Sequence, residues 1–490
     1  MARPRITRRE LVASAVAAGA VAAVPPAWGR GLLSRKARIG PGAFLDGVAS
    51  GEPTETAVTF WSRLATDRPR SGARLVVARD VGLREVEAAV TVPTGAGVNG
   101  TLKARIGRLD PGTEYFYAWE SGTAVSPIGR TRTAPPAGSA QALRLAVSSC
   151  QHYALGYFAA HADAARRDLD LAVFLGDYIY ETGRPRGAVR GYDITATDLT
   201  SFRRTYALYR ADPALRELHR LHPSAHIWDD HELSNNYTDN DPAVAPAHRV
   251  AAYRAAFEWL PRMTFPRERH RIYKRMPLGG VADLFLLDAR QYRTGDNDNR
   301  PRRMLGDAQT AWLLAELQAS RAGWKLIGQQ VRVASLGAEG AINRDTWDGY
   351  PEERDALLGA IEAAGIPNVV FLTGDAHVFM ANLLSPDFET FGDGSTRRAA
   401  ATEYVTGSVT SPGRADDEAE VRRRAPWIQQ YNGVAHGYAQ LDLTRERLVT
   451  EYLAAEVLDP GAVAAPVDRF LQRSGENAIQ RNPPAAARRA

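Results

Sequence analysis

Five apolar runs of this chain end in residues able to bind metals. "LRLAVSSCQHY" ends at Cys150, Gln151 and His152, and "LAVFLGDYIY" at Asp177 and Tyr180. "SAHIWDDHELSNNY" carries Asp229, Asp230, His231 and Glu232, then Asn235 and Asn236. "WKLIGQQV" carries Gln329 and Gln330, and "NVVFLTGDAHVF" ends at Asp375 and His377. In α/β sheets, ligands gather at the carboxyl ends of strands. One run ending in Asp is explained by capping of the following helix. Five runs ending in Cys, Asp, Tyr, His and Gln are not, and they point to one shared polar site.

The donor types narrow the chemistry. Thiolate, phenolate, imidazole and carboxylate together suit an iron-class ion. Carboxylates and amide oxygens suit a hard cation such as calcium or magnesium. Both kinds are present, while HExxH and paired CxxC spacings are absent, which argues against a zincin or a structural zinc site. Two ions can clamp the attacking and leaving oxygens of a displacement at phosphorus, and a water they hold ionises near pH ~7. Within "VFLGDYIYE", Asp177 has two oxygens and can bridge two ions; Tyr180 then folds back to bind one as phenolate. Gly176 lets the backbone come close and leaves room for the ions. Arg290, after "DLFLLDA", can meet a phosphate oxygen through a bidentate fork, or can pair with Asp288. Blander readings stand beside these. Cys150 can be a buried thiol, Tyr180 can pack in the core, and Asp229 can support a ligand without being one. His152 can line a pocket or lie on the surface, and His436 in "AHGYAQLDL" can sit at the site edge.

These residues need elements to hold them. At 490 residues the chain is too long for a single core, which predicts two domains. Hydrophobic content of 44% and charged content of 24% are those of a globular protein, neither disordered nor membrane-embedded. From 38 to 135, short alternating runs such as "AVTFWSRL", "ARLVVARD", "EAAVTV", "NGTLKARIGRL" and "TEYFYAWES" predict a small β-sandwich. "TRTAPPAGSAQ" reads as a linker. From Leu143, apolar strands alternate with helical stretches such as "DAQTAWLLAELQASRAG", predicting a layered α/β domain over 140–459. Residues 460–490, rich in Ala, Pro and Arg, read as a partly disordered tail or surface helix that can act as a lid.

Residues 1–27 place Arg8-Arg9 before an apolar run, Leu11 to Val24, too short and Ala-rich to span a bilayer comfortably. The segment resembles a twin-arginine export signal. It also holds Arg3 and Arg5 against a single Glu10, so most of the formal charge of +5 resides there. The remaining body is near neutral, and no nucleic-acid-binding stripe is evident. With one cysteine, no intramolecular disulfide can form.

Taken together, "FLDGVASGEPTETAVTFWSRL", "SSCQ", "FLGDYIYE", "WDDHE", "LIGQQV" and "LTGDAHVF" resemble, in order, the motifs of PhoD-type alkaline phosphatases of the calcineurin-like metallophosphoesterase superfamily. The resemblance implies an α/β metallophosphoesterase catalytic domain, a layered β-sandwich flanked by helices, behind an N-terminal all-β immunoglobulin-like domain. It implies one Fe3+ and one or two Ca2+. Carried over, Cys150, Tyr180 and His377 bind iron, Asp177 bridges, and Asp230 and Asp375 bind calcium. His231 stabilises the transition state or protonates the leaving oxygen. Compared with the wider superfamily, Asp-x-His is replaced by Ser149-Cys150-Gln151, "GNH" by Asp229-Asp230-His231, and "GHxH" by Gly374-Asp375-Ala376-His377. A further histidine is replaced by Gln329 or Gln330. These changes remove nitrogen ligands or add oxygen ligands, which favours calcium over zinc in the second site.

The implied activity is that of a secreted phosphoesterase acting on small phosphate esters through a metal-bound hydroxide or oxo nucleophile. The protein would be a monomer exported by the twin-arginine machinery to an extracellular, periplasmic or cell-wall location, with no stable membrane span after signal removal. A phospholipase or cell-wall polymer phosphodiesterase on the same scaffold is the alternative. An exported binding protein with a degenerate second domain is a third reading, and the full set of metal-capable residues argues against it.

Overall fold

The computed structural model describes residues 38–39, 43–66, 68–183, 185–265, 268–295, 300–336, 343–392 and 399–481. The expected export signal at 1–27 lies outside them. The chain forms two compact units. One comprises residues up to 136 with 206–225 and 253–271; the other comprises 137–205, 226–252 and 272 onward.

In the first unit all five alternating runs form strands: Ala57–Arg63, Ser71–Ala78, Val86–Thr94, Thr101–Gly107 and Glu114–Ser121. Val48–Gly51 pairs antiparallel with Ala57–Arg63, which pairs in turn with Thr101–Gly107. Ser71–Ala78 pairs antiparallel with both Val86–Thr94 and Glu114–Ser121. Period-two alternation turns Tyr115, Tyr117 and Trp119 inward against Phe60, Val58, Leu75 and Ile106, so both sheets share one core. Phe60 meets Tyr117 edge-on at 4.8 Å. The sequence reading missed that helical residues from later in the chain, including Pro213–Leu221, join this unit. Asp212 caps that helix by accepting from the N–H groups of Ala214 and Leu215.

The second unit is built on two sheets. In one, Leu143–Ser148 pairs parallel with Leu171–Leu175 and antiparallel with Gly437–Leu443; Arg447–Ala454 and Ala465–Arg473 extend it. The other holds four parallel strands in the order Ala282–Leu286, Trp324–Gln329, Val369–Thr373 and Ala401–Thr406. These four strands are buried along their whole length, so polar residues within them, such as Asp283, Lys325 and Glu403, are buried too. The helices Asp307–Ala319 and Pro351–Ala363 cover this sheet with Leu313, Leu317, Leu357, Leu358 and Ile361. The sheets meet through contacts such as Thr406 Oγ1 donating to the Val147 carbonyl at 2.7 Å. The reading of the chain beyond about 460 as a disordered tail or surface helix is corrected. Ala465–Arg473 is a strand of the first sheet, with Phe470 fully buried. Among the described residues no helix is long and apolar enough to cross a membrane.

Candidate metal centre

The strand ends deliver their polar residues by sharp turns. Cys150, Asp177, Asp375 and His377 all have left-handed backbones, with φ of 57°, 50°, 57° and 57°. Such conformations cost non-glycine residues about 1–3 kcal/mol each and cluster at functional sites. Gly176 has φ 104°, and a Cβ there would lie 2.4 Å from the Asp229 Cβ. Its lack of a side chain therefore makes room for Asp229 itself, not for the ions. The loops are tied together. Gln151 N–H donates to the Asp177 carbonyl at 3.1 Å. Glu232 accepts from the N–H groups of Asp177, Tyr178 and Asp229 at 3.1, 2.7 and 2.7 Å.

These turns bring ligand atoms into three overlapping groups, each within 4.8 Å: Cys150, Asp177 and His377; Asp177, Asp230 and His231; Asp229, Asp230 and Asp375. Asp177 and Asp230 each belong to two groups. Tyr180 joins the first, its hydroxyl donating to Asp177 Oδ2 at 2.8 Å and lying 3.5 Å from His377 Nε2. His377 Nδ1 lies 2.9 Å from the Pro412 carbonyl, which leaves Nε2 turned to the cluster.

The donors fit cations. Burial, with Asp230, Asp375 and other carboxylates nearby, pushes Asp177 and Asp229 well above the usual carboxylate range. Burial and Asp345 push Asp375 up to about 7. Asp229 Oδ2 is buried without a hydrogen-bond partner. Burial lowers His377 to about 4, leaving it neutral as a ligand must be. Burial, then the Asp177 carboxylate, pushes the Cys150 thiol up. Positive charge near this much carboxylate would reverse the upward shifts.

His231 stacks on Tyr180 at 4.2 Å, and its Nδ1 lies 2.8 Å from Glu181 Oε2. Burial opposes its charge, but Asp230, Asp177 and Glu181 raise its pKa well above the ordinary value. His152 is buried, its ring 4.3 Å from that of Tyr180.

Arg290 corrects an expectation. It is fully buried, and its guanidinium is spent on carboxylates: Nε on Asp229, Nη1 on Asp345 at 2.6 Å, and Nη2 on Asp375 at 3.2 Å. No fork remains for a phosphate oxygen, and Arg290 meets Asp288 through its backbone N–H, which donates to Asp288 Oδ1 at 3.1 Å. Neither glutamine amide joins the ligand groups. Gln329 bonds Val331 and Thr373, and Gln330 bonds Trp228, Leu287 and Ala289. Asp345, which also pairs with Arg293 at 2.6 Å, and Ser411, whose Oγ lies 2.6 Å from the Tyr180 hydroxyl, were missed, and nothing around them in the sequence signals the site. Glu181 and Glu232 close two of the motifs already singled out, so their position was visible and their bonds were not.

Residues 145–452 match the PhoD-like phosphatase family, and residues 31–135 match the N-terminal domain of PhoD-like phosphatases. Alkaline phosphatase D of Bacillus subtilis (strain 168) is 31% identical over 484 residues, covering 89% of this chain and 82% of that one. The solved structure of PhoD superposes with a TM-score of 0.83 at 29% identity, covering 91% of this chain and 94% of that one. A purple acid phosphatase from yellow lupin (Lupinus luteus) seeds gives 0.57 at 11% identity, covering 89% and 72%; it shares the sheet-rich, metallophosphoesterase-like α/β fold. With its metal-capable strand ends and these matches, the chain belongs to the PhoD-like phosphatase family and is a phosphoric ester hydrolase.

Proposed function

We propose that this phosphoesterase works with a mixed metal centre, one ferric ion and one or two calcium ions. The carrying observation is the set of three overlapping ligand groups that share Asp177 and Asp230. Cys150, Tyr180 and His377 would hold iron, Asp177 would bridge, and Asp230 and Asp375 would hold calcium. The unpartnered Asp229 oxygen would face the calcium side. Such ions neutralise phosphoryl oxygens and acidify water for attack on phosphorus. The chain's own residues then divide the work. His231, held by Glu181, donates a proton to the leaving oxygen. Arg290 does not touch substrate; it holds Asp229, Asp345 and Asp375 in place and offsets their charge. Glu232 staples the loops of Asp177 and Asp229.

The N-terminal unit, with its two sheets around one core, is read as immunoglobulin-like. The twin arginine at 8–9 supports export by that route, as a monomer, to an extracellular, periplasmic or cell-wall location. Small phosphate esters are the substrates.

Metal analysis of protein exported by its native route tests the centre. About one iron with one or two calcium ions per chain is expected from these donors. Zinc or manganese in a two-metal ratio would keep the phosphoesterase and remove the roles given to Cys150 and Tyr180.

A further inference from the structure

The turn after Ala401–Thr406 borders the metal centre, yet contributes none of its proposed ligands. Gly407 has φ 62°, and a Cβ there would sit 2.9 Å from the Phe379 ring, so the chain bends tightly against the sheet. The N–H groups of Thr410 and Ser411 then converge on the Cys150 carbonyl at 3.3 and 3.2 Å. Pro412 supplies the carbonyl facing His377 Nδ1. Ser411 Oγ lies 2.6 Å from the Tyr180 hydroxyl and is fully buried. Residues 407–412 thus touch the Cys150 backbone and the Tyr180 and His377 side chains, the three residues proposed for iron alone.

The Tyr180 hydroxyl has one proton, directed at Asp177 Oδ2. With that proton committed, Ser411 is the donor in the 2.6 Å contact. Ser408 Oγ donates to the Ser411 carbonyl at 2.5 Å and lies 3.0 Å from His436 Nδ1, which fixes the turn from behind. When Tyr180 gives up its proton, its bond to Asp177 is lost, and the bond from Ser411 stays and becomes charge-assisted.

We propose that Ser411 is a positioning residue that hydrogen-bonds the Tyr180 phenolate and thereby sets the spectrum and reduction potential of the iron beside it. The inference rests on the reading of Tyr180 as an iron ligand. Hydrogen bonds to a ligand atom are among the means by which a protein tunes a metal. A donor on the phenolate oxygen withdraws electron density and weakens donation to the ferric ion. Without it, phenolate-to-iron charge transfer falls in energy and the ferric state is favoured.

The experiment is visible absorption and redox titration of the iron-loaded full-length protein, comparing wild type with Ser411→Ala and Ser411→Thr. Ser411→Ala is expected to shift the visible band to longer wavelength and to lower the potential, while Ser411→Thr, which keeps the hydroxyl, stays near wild type. A Ser411→Ala band and potential coincident with wild type would overturn the inference while leaving Tyr180 a ligand. Colourless wild-type protein holding stoichiometric iron would overturn the Tyr180 reading and the inference with it. If Ser411→Ala does not retain iron, Ser408→Ala serves, because it frees the turn that aims the hydroxyl. The same displacement is then expected, and an unmoved band counts against the proposal.

Discussion

Glu181 Oε2 lies 2.8 Å from His231 Nδ1, and its other oxygen accepts the Asn235 N–H at 3.2 Å. The carboxylate is held at one end by backbone, so it can fix both the ring and the tautomer of the histidine. Glu181→Gln keeps the shape and an acceptor but loses the charge. It is expected to lower kcat by about 10–100-fold, with little change in KM. Esters with alkyl leaving groups should lose more than aryl esters, because an aryl oxide leaves without much help from an acid. Equal losses on both substrates would remove the leaving-group role of His231.

Arg290 is expected to act on the fold of the site and not on substrate binding. Its partners Asp229, Asp345 and Asp375 are each drawn to it. Breaking a buried charge cluster by removing one partner typically costs about 3–5 kcal/mol. Arg290→Met should therefore lower the unfolding free energy measured by chemical denaturation by that order, and should weaken retention of the proposed calcium as the aspartates splay. A variant with wild-type stability and a raised KM would restore the phosphate-clamp reading.

Residues able to donate to a metal were legible in the sequence and their supports were not, for a physical reason. Cys150, Asp177, Asp375 and His377 stand two to four residues beyond largely apolar strands, so burial pattern and donor type coincide along the chain. The supports act across sequence separations of 50 residues or more: Glu181 with His231, Arg290 with Asp229. Arg290 shows the consequence. Its place after a strand suggested a free fork, and only the fold reveals four carboxylates already around it. Ser411 lies in a turn whose composition resembles any surface loop, yet it is fully buried against Tyr180. In the segment beyond 460 burial alternates, but of the buried positions Asp468, Phe470 and Gln472 only Phe470 is apolar, so the strand left no alternating hydrophobic pattern in the sequence.

His161 gives a pH dependence outside the proposed ligands. It is buried against Phe158 and Phe174, and its Nε2 lies 2.5 Å from Gln151 Oε1, whose amide nitrogen donates to the Tyr178 carbonyl. Burial lowers its pKa from an ordinary 6.5 to about 3. The unfolded chain therefore takes up a proton that the folded chain refuses between those values. Stability from this group is complete above pH 6.5 and is lost as pH falls toward 3, by at most about 1.4 kcal/mol per pH unit. His161→Gln, which can still donate to Gln151, should flatten the decline in thermal midpoint between pH 6 and 4. Parallel curves for the two proteins would mean that His161 does not report on acid unfolding.

Removal of the chain after Pro460 is expected to cost the fold and not merely to open the site. Ala465–Arg473 pairs along Arg447–Ala454, and Phe470 packs on Tyr404 and Tyr452 with centroids 5.8 and 5.3 Å away. Beyond it, Gly475 N–H donates to Asn368 Oδ1 at 2.7 Å, and Asn477 Nδ2 donates to the Ala399 carbonyl at 2.8 Å. Truncation would expose the edge of a sheet and the apolar face that Phe470 covers, so aggregation is the expected result. Phe470→Ala is the measurable version. It should destabilise by about 3–5 kcal/mol while the ratio of monoester to diester turnover per folded molecule stays at its wild-type value. A stable Phe470→Ala protein with an altered ratio would instead assign this strand a part in substrate access.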